Sequence, residues 1–437
     1  MYPSAAGVDE GLDMARRVGA ASVVGIGGGA VVDTAKAVAL LHGSRSVVFF
    51  SLFSPPTGLL SERQGSATCL SRYPSRGAPQ RLQHLRLSSS QVQLLRPLVH
   101  ASHATAMLPP CRRRAADFLL SPSEAIMAGG SRAESRQLGA GALPLVAVPT
   151  SFGAGAAASG QCLVWHPQDE LLVPVVRPAA GPPPLQTVAL VDPLLTKTVG
   201  EGLAMAMALT ALSACLDGLL CRASRAGRAD VPPGADPATP LSVQGIAALA
   251  EGLPAVLADP GDVRGRKQLA VASMCAGQVA CITPAPPCQV LARAAGSLLY
   301  HQRYPEVCAI ILPHLVQAVL EKTQTGWGTH GAGEAAAKVL GQAASTLTGE
   351  TGADGATLLL WLQRHSERLR VSHLADLEPA AEAGDMANSV RLLMTVEEAG
   401  KGVLDLDLLE DSEIHAVLER ATAGMGRRDG GRLPPGA

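Results

Sequence analysis

Hydrophobic and polar positions in the first fifty residues follow two different periods. Apolar residues recur at helical spacing over Val8–Arg17 and over Val31–Leu41, and Ala21–Ile26 between them is a short apolar run of strand length. Two more buried strands are predicted where apolar runs meet turn residues, in LPLVAVP from Leu143 and in Gln186–Thr196. Strands and helices that alternate in this way predict an α/β domain.

From about Val199 onward the apolar spacing is helical almost throughout. Helices are predicted over Gly202–Leu220, Ser242–Ala258, Arg266–Ala280, Gly331–Thr346 and Ser412–Ala423. The pattern therefore predicts two domains, an α/β domain over residues 1–197 and an all-α domain over residues 198–437.

Residues 43–116 break this pattern. The segment is rich in Ser, Arg, Pro and Gln, it contains ten arginines and one acidic residue, Glu62, and its apolar positions have no consistent period. We interpret it as a disordered or spurious insertion in the α/β domain, because a structureless loop of this length is rare inside a compact domain. A basic arm is the alternative interpretation.

The overall composition limits the classes of function. A hydrophobic content of 47% is enough to build a large core, and a formal net charge of −1 provides no basic surface for nucleic acid or for an anionic membrane. The most apolar stretch, Leu203–Leu220, is interrupted by Thr, Ser and Asp, which favours a buried helix over a membrane span. We therefore expect no nucleic-acid partner and no membrane association.

Cysteine usage and the N-terminus indicate the compartment. The nine cysteines include no CxxC pair and their number is odd, which favours reduced thiols over a disulfide framework. The first twenty residues contain no apolar segment typical of a signal peptide. The expectation is a soluble intracellular protein in the cytoplasm, with an organelle left open as the alternative.

The most informative segment is VVGIGGGAVVDTAKAVALL, from Val23 to Leu41. An apolar strand ends there in the triplet Gly27–Gly29 and leads directly into a helix. Glycine lets backbone N–H groups approach a ligand closely, and the helix N-terminus adds partial positive charge, so this turn suits a phosphate group. Asp33 and Lys36 follow on the first turns of the same helix.

The pattern GGGAVVDTAK resembles the signature of the iron-containing alcohol dehydrogenase family, with Ala30 in place of a serine. Two further segments resemble that family in the same order along the chain, LPLVAVPTSFGAG around Thr150 and VALVDPLLT around Asp192. The resemblance implies an α/β Rossmann-like nucleotide-binding domain followed by an all-α C-terminal domain. The first of these is expected to be incomplete, since the family has further strands ahead of Met1.

By this resemblance the α/β domain binds NAD or NADP. The backbone of Gly28 and Gly29 would face the pyrophosphate and Asp33 would lie toward the nicotinamide, while Thr150 and Ser151 would line the cofactor cleft. The complete set of cofactor-binding residues that the resemblance implies is Gly27, Gly28, Gly29, Asp33, Lys36, Thr150, Ser151 and Leu195.

The resemblance also implies a substrate and an assembly. The substrate would be a small alcohol, aldehyde or oxo acid, since the family includes maleylacetate reductase-like and hydroxyacid-oxoacid transhydrogenase-like members. A homo-oligomer is expected.

The family holds iron or zinc through one aspartate and three histidines, and the metal acts as a Lewis acid on the alcohol oxygen. The resemblance aligns Thr210 with the aspartate and Ala214 with the first histidine. Tyr304 aligns with the last histidine, and the remaining position falls on Gln289 or Val290. Divalent cations do not favour these side chains, so no metal-binding residue is predicted and the expected iron or zinc ligands are interpreted as lost.

Three nearby residues are candidates to replace those ligands: Asp217, His301 and His314. For each of them a packing, capping or solvated role is the favoured interpretation. Cys215 and Cys221 are six residues apart on diverging helix faces, which makes a zinc site at these thiols still less favoured.

Two functions follow from these observations. The first is an NAD(P)-dependent dehydrogenase or reductase that transfers hydride to or from a small alcohol, aldehyde or oxo acid, in which Tyr304 or His301 would polarise the carbonyl group. No catalytic residue is assigned. The alternative is a catalytically impaired pseudoenzyme that at most binds nucleotide. The sequence leaves open the substrate, the choice between NAD and NADP, and the oligomeric state.

Overall fold

The N-terminal part of the chain folds into a parallel sheet with helices packed against it. The computed structural model describes residues 3–42, 47–51, 143–153, 155–160, 162–166, 171–175, 187–224, 236–283, 286–298, 304–325, 331–369, 373–378, 382–401 and 409–423. The elements of this part are α1 (Ala5–Arg17), β1 (Ser22–Gly27), α2 (Gly29–Leu41), β2 (Val47–Ser51), β3 (Leu145–Pro149), β4 (Cys162–His166), β5 (Leu171–Val175) and β6 (Thr187–Ala189).

The sheet has the strand order β2-β1-β3-β6, and its neighbouring strands are parallel. Strands β4 and β5 form a separate antiparallel pair. Parallel strands end at the same edge of a sheet, so the segments that follow β1, β3 and β6 lie side by side. This edge receives the glycine turn.

Two glycines in β1 determine how closely α2 can approach the sheet. A Cβ atom added at Gly25 would lie 2.7 Å from the Cβ of Ala35, and one added at Gly27 would lie 2.7 Å from a methyl group of Val31. Neither distance is compatible with a side chain, so these glycines are required by the packing of the helix on the strand. Val23 and Val38 fill the same interface and are fully buried.

Two sequence-based predictions for this part need correction. Residues 47–51 form β2 and pair in parallel with β1, so the interpretation of 43–116 as one disordered insertion is wrong for these residues. The other residues of that segment lie outside the described residues. The strand predicted over Gln186–Thr196 is also too long: β6 ends at Ala189, and a 3-10 helix spans Pro193–Thr196 because Pro193 follows Asp192, whose side chain accepts from the Leu194 N–H.

The C-terminal part of the chain is helical. Its helices are α3 (Glu201–Ser224), α4 (Ala238–Ala258), α5 (Val263–Ile282), α6 (Pro287–Leu298), α7 (Tyr304–Gln324), α8 (Ala332–Thr348), α9 (Gly355–Ser366), α10 (Leu374–Leu377), α11 (Ala383–Lys401) and α12 (Asp411–Ala423). The helices predicted from the periodicity are confirmed, with ends that differ from the predicted ends by a few residues.

Helix α3 is the centre of this helical part. Leu209, Leu212 and Leu216 are at most 1% exposed, and the core that surrounds them includes residues of α4, α6, α7 and α8. By length and composition alone, α3 and α4 are apolar enough to cross a membrane, as is the bent pair of α5 with α6, but 94% of the apolar window of α3 is buried inside the protein. The prediction of a buried helix over 203–220 is confirmed.

The two parts meet where the loop after β3 crosses α5. Gly155 adopts a φ of +71°, and a Cβ added there would collide with the Ser273 carbonyl oxygen and the Gly277 backbone. A Cβ added at Gly277 would collide with the backbone of Gly155 in turn. Ser273 donates from Oγ to the Gly153 carbonyl oxygen at 2.7 Å. The loop and the helix therefore touch backbone to backbone.

A buried arginine fastens the 3-10 helix to the same element. Arg266 of α5 is 0% exposed, and its guanidinium donates to the carbonyl oxygens of Thr196 and Pro260. Hydrogen bonds from several N–H groups offset the cost of burying this charge.

We predict that Gly277→Ala destabilises the protein by about 1–3 kcal/mol, because the new methyl group overpacks the contact with Gly155. The matched control is Gly384→Ala, at an exposed helical glycine of α11 with nothing within 4 Å of the added Cβ. The control is expected to raise stability slightly, because alanine has a higher helix propensity than glycine. Urea denaturation measures both, and equal effects for the two variants would contradict the close approach.

Candidate functional site

The glycine turn lies at the edge of the sheet where β1 and β3 end. The Thr150 N–H donates to the Gly27 carbonyl oxygen at 2.9 Å, which holds the two strand ends together. Gly28 is the N-cap residue of α2, with an extended backbone, and no side chain caps the helix there. The first turn of an uncapped helix presents N–H groups that have no partner within the helix. The turn therefore offers hydrogen-bond donors to a ligand.

The four glycines of this region divide into two kinds. Gly25 and Gly27 are required by the packing of α2 on β1. A Cβ added at Gly28 would lie 3.7 Å from the Ser151 Oγ, and one at Gly29 would lie 3.9 Å from the Cβ of Ala156, both ordinary contact distances. The φ of Gly28 is −72°, which any residue adopts. The fold itself does not require glycine at 28 and 29, and the space beside them fits a ligand that approaches the backbone.

The hydroxyl residues predicted for the cofactor cleft lie beside these glycines. Thr150 is bonded to Gly27 through its backbone, and the Ser151 side chain points to the position above Gly28. Strand β6 is the neighbour of β3 in the sheet, and the 3-10 helix that follows β6 contains Leu195. Leu195 therefore lies at the same edge of the sheet as Thr150 and Ser151. Backbone donors, a helix N-terminus and hydroxyl groups together suit a phosphate or pyrophosphate.

Asp33 and Lys36 face the interior of the protein. Lys36 is 1% exposed, and its Nζ lies 3.3 Å from the Asp33 Oδ1. The Leu163 N–H donates to the Asp33 Oδ2 at 3.3 Å, so this pair joins α2 to β4. Burial raises the pKa of Asp33, and the charge of Lys36 and the hydrogen bond from Leu163 lower it. These contacts give both residues a structural role, and their predicted contact with a cofactor stays a prediction.

The helical part approaches the site at the start of α7. Carbon atoms of Met207 and Pro305 lie 3.8 and 3.9 Å from a Cβ added at Gly153, in the loop that follows Ser151. Tyr304 immediately precedes Pro305. Tyr304, which the resemblance aligns with a metal ligand, is therefore close in the chain to a residue that contacts the loop after Ser151.

Three of those positions, Thr210, Gln289 and Tyr304, form one chain of hydrogen bonds together with Ser213. The Tyr304 hydroxyl donates to the Gln289 Oε1 at 2.6 Å, and the Gln289 Nε2 donates to the Ser213 Oγ at 2.8 Å. The Ser213 hydroxyl donates to the Thr210 carbonyl oxygen at 2.8 Å, and the Thr210 Oγ1 lies 3.1 Å from the Pro305 carbonyl oxygen. Burial raises the pKa of Tyr304 well above its usual value, so the phenol is neutral. We call these four residues the polar network.

Asp217 anchors the helix that carries Gln289. Its carboxylate oxygens accept from the Cys288 N–H at 3.1 Å and from the Gln289 N–H at 3.3 Å, at the first turn of α6. Burial raises the pKa of Asp217 to about 8, against the hydrogen bonds from these N–H groups and the positive charge of Arg293. Asp217 was expected to be a charge on a helix face, whereas the structure buries it and uses it to cap α6.

The polar network does not fit a divalent cation. Hard and borderline cations take carboxylate, imidazole or thiolate ligands, whereas the aligned positions hold a hydroxyl, a methyl, a phenol and either a carboxamide or an isopropyl group. The hydroxyl, carboxamide and phenol groups are already engaged with one another or with backbone carbonyls. Among the residues that the structure describes, no group of three or more His, Cys, Asp or Glu could hold a metal ion. The alignment with the family's ligands is itself a prediction.

The other proposed stand-ins lie elsewhere. His314 is in α7, 5% exposed, and its Nδ1 has no hydrogen-bond partner among the described residues. Burial lowers its pKa to about 4, with further lowering by the charges of Arg420 and His373. Cys215 and Cys221 are both buried in α3. His301 lies outside the described residues.

Sequence reasoning missed Ser213 and Arg293 in this region. Ser213 lies three residues after Thr210, and Arg293 lies four residues after Gln289, so each pair shares a helix face. Both residues are buried polar groups in apolar helices. A polar residue on an otherwise apolar helix face was the sequence signal that could have marked them as buried polar groups. It did not identify the contact of Ser213 with Gln289, which lies on another helix.

The comparison with protein families agrees with the motif at the glycine turn. Residues 1–61 match the model of the family described as iron-containing alcohol dehydrogenase. No protein of curated function matches the chain by sequence. The resemblance stated from GGGAVVDTAK is thereby confirmed for the segment that contains the turn.

Solved structures extend the similarity to almost the whole chain. An archaeal halo-thermophilic alcohol dehydrogenase from a Red Sea brine pool has a TM-score of 0.62 at 16% identity, over 96% of this chain and 81% of that one. The NADH-dependent butanol dehydrogenase A of Thermotoga maritima has a TM-score of 0.56 at 16% identity, with the same coverage. The iron-containing alcohol dehydrogenase of Thermococcus thioreducens has a TM-score of 0.57 at 18% identity, over 97% and 83%. At these identities the likeness shows the fold, and the predicted fold class is confirmed.

We predict that His314 makes the protein sensitive to acid. Its imidazole is neutral when folded and has a pKa of about 4, whereas the unfolded value is 6.5, so the unfolded state binds more protons between these values. Stability is therefore retained above pH 6.5 and lost as the pH falls toward 4, by at most about 1.4 kcal/mol per pH unit.

His314→Leu removes this titration at similar volume. Urea denaturation between pH 7 and pH 5 is expected to show a smaller loss for this variant than for the parent protein. His415→Leu, at an exposed histidine of α12, is the matched control. An equal acid sensitivity of the parent and His314→Leu would refute the assignment.

Proposed function

Since this chain has the fold of the iron-containing alcohol dehydrogenases and its residues 1–61 match that family, we propose that it binds NAD or NADP at the glycine turn and acts as an oxidoreductase. The reaction would be hydride transfer between the nicotinamide and a small alcohol, aldehyde or oxo acid. The choice between NAD and NADP stays open.

One observation supports cofactor binding above the others. Gly28 and Gly29 leave space that the protein's own packing does not need, directly at the uncapped N-terminus of α2. Thr150 and Ser151 add hydroxyl groups at the end of the neighbouring strand. The N–H groups of the turn would hold the diphosphate, and the partial positive charge of the helix N-terminus would offset its negative charge.

The chemistry of the site would be divided between its two sides. A bound nicotinamide dinucleotide supplies the group that gives or takes hydride. The loop from Thr150 to Gly153 separates the turn from Pro305, so a substrate between the two sides would lie close to Tyr304. A neutral phenol can polarise a carbonyl oxygen by donating a hydrogen bond to it. In the structure the Tyr304 hydroxyl donates to Gln289 instead, and this proton would have to be redirected to the substrate.

That last contact favours the second candidate function, a pseudoenzyme that binds nucleotide without turnover. The Tyr304 hydroxyl donates its proton to the buried Gln289 Oε1 at 2.6 Å. Donating it to a substrate instead would leave that oxygen without a hydrogen bond, which costs free energy, so Tyr304 is a poor hydrogen-bond donor to a substrate. A homo-oligomer and a cytoplasmic location also stay proposals.

We expect Gly29→Ala to weaken nucleotide binding by about tenfold or more, equivalent to about 1.4 kcal/mol, because the methyl group fills the space in which the diphosphate would approach. Stability should change by less than about 1 kcal/mol, since the nearest atom to the added Cβ is 3.9 Å away. Fluorescence titration with NADH and NADPH measures affinity, and Gly384→Ala is the control. Unchanged affinity in Gly29→Ala would refute the assigned binding position.

The two candidate functions are separated by turnover. The purified full chain is titrated with NADH and NADPH and then assayed with butanol, 1,2-propanediol and maleylacetate, with the metal content measured on the same sample. Binding with turnover supports the oxidoreductase, and binding without turnover supports the pseudoenzyme. If neither nucleotide binds, both proposals fail.

A further inference from the structure

The polar network joins three helices that come from different parts of the chain. The Gln289 side chain links α6 to Ser213 of α3 and to Tyr304 of α7. The Thr210 Oγ1 lies 2.8 Å from the Ala206 carbonyl oxygen of the same helix and 3.1 Å from the Pro305 carbonyl oxygen of α7, so its single proton is shared between α3 and α7. Gln289 therefore joins α6 to both other helices, and the Thr210 hydroxyl adds a longer contact between α3 and α7.

The direction of donation is consistent along the network. The phenol donates to the carboxamide oxygen, the carboxamide nitrogen donates to the serine, and the serine donates to a backbone carbonyl. A carboxamide fits this position because it has a donor and an acceptor at opposite sides, whereas a carboxylate would be unable to donate to Ser213. A fully satisfied buried network fixes the relative positions of the elements that contribute to it.

A second contact strengthens the link between α3 and α6. Asp217, 0% exposed, accepts from two backbone N–H groups at the start of α6 and so fixes that helix to α3 independently of Gln289. Each of its two carboxylate oxygens accepts one of these hydrogen bonds. The Asp217 carboxylate is therefore used for capping.

We propose that the polar network takes the place of a divalent cation as the cross-link among α3, α6 and α7, so that the helical part of this protein folds and keeps its shape without a metal ion. The neutral side chains at the aligned positions and their mutual hydrogen bonds support it. The proposal concerns structure and does not depend on nucleotide binding or turnover. It can therefore fail while the proposed function stands, and the proposed function can fail while it stands.

The first test measures metal dependence. The purified full chain is dialysed against EDTA, and its metal content and melting temperature are compared with those of samples incubated with Fe²⁺ or Zn²⁺. The expected result is a metal content far below stoichiometric and the same melting temperature in all samples. A stoichiometric ion that resists dialysis, or a melting temperature that falls on chelation and recovers with either metal, overturns the proposal.

The second test measures the cross-link itself by a double-mutant cycle. Tyr304→Phe removes only the hydroxyl group, and Gln289→Leu removes the carboxamide at similar size. Each is expected to lower the melting temperature by roughly 3 °C or more. The double variant should lose less than the sum of the single losses, because either substitution already breaks the same hydrogen bond.

The matched control is Gln317→Leu, which removes a carboxamide whose hydrogen bond, to Glu321, lies on the protein surface. It should leave the melting temperature nearly unchanged. If Gln289→Leu fails to fold, Ser213→Ala replaces it in the cycle, since Ser213 holds the other end of the same carboxamide. Strictly additive losses, or no loss in Tyr304→Phe, would show that the network carries no cross-link.

Discussion

The backbone contact between Gly155 and Gly277 is the constraint on which the rest of the structure depends. It places the loop after β3 against α5 without intervening side chains, and Ser273 then bonds to Gly153 in the same loop. Because this loop also carries Thr150 and Ser151, the glycine turn and the start of α7 are held at a fixed separation. A side chain at either glycine would separate the loop after β3 from α5. The same loop carries Thr150 and Ser151, so the candidate site would be displaced with it.

The two sides of that site differ in how completely the protein satisfies its own polar groups. On the sheet side, the N-terminus of α2 has no side-chain cap and has open space beside Gly28 and Gly29. On the helical side, Tyr304, Gln289 and Ser213 are bonded to one another. A ligand would gain hydrogen bonds at the turn without breaking any that the structure records there, whereas at Tyr304 it would have to replace one. The turn thus leaves hydrogen-bond donors for a ligand, whereas the polar network already uses its own.

Much of the fold could be predicted from the sequence because its signals are local. The run from Ser22 to Leu41 combines a strand, a glycine turn and a helix within twenty residues, and the long apolar helices have clear periodicity. Strands β2, β4 and β5 were missed. Strands of five residues in segments rich in Pro and polar residues give little periodicity, and β2 pairs with β1 across an intervening helix, whereas β4 pairs with its neighbour β5.

The site was less predictable for the same reason. The motif indicated the turn, but it could not separate glycines that pack from glycines that leave space, and it did not show that Lys36 is buried against Asp33. The hydrogen bonds of the polar network join Ser213 to Gln289 across 76 positions of the chain. Only the three-dimensional packing of α3, α6 and α7 brings such residues together.

The glycines at 25 and 27 have a consequence for how the turn can change over time. They let α2 rest almost directly on the backbone of β1, so the height of the helix above the sheet sets the direction of its first N–H groups. A methyl group at Gly25 or Gly27, on the face of β1 that α2 covers, would lift the helix and tilt those N–H groups without contacting a ligand bound to them. The affinity of any ligand at this turn would therefore respond to inherited substitutions at positions that the ligand does not contact.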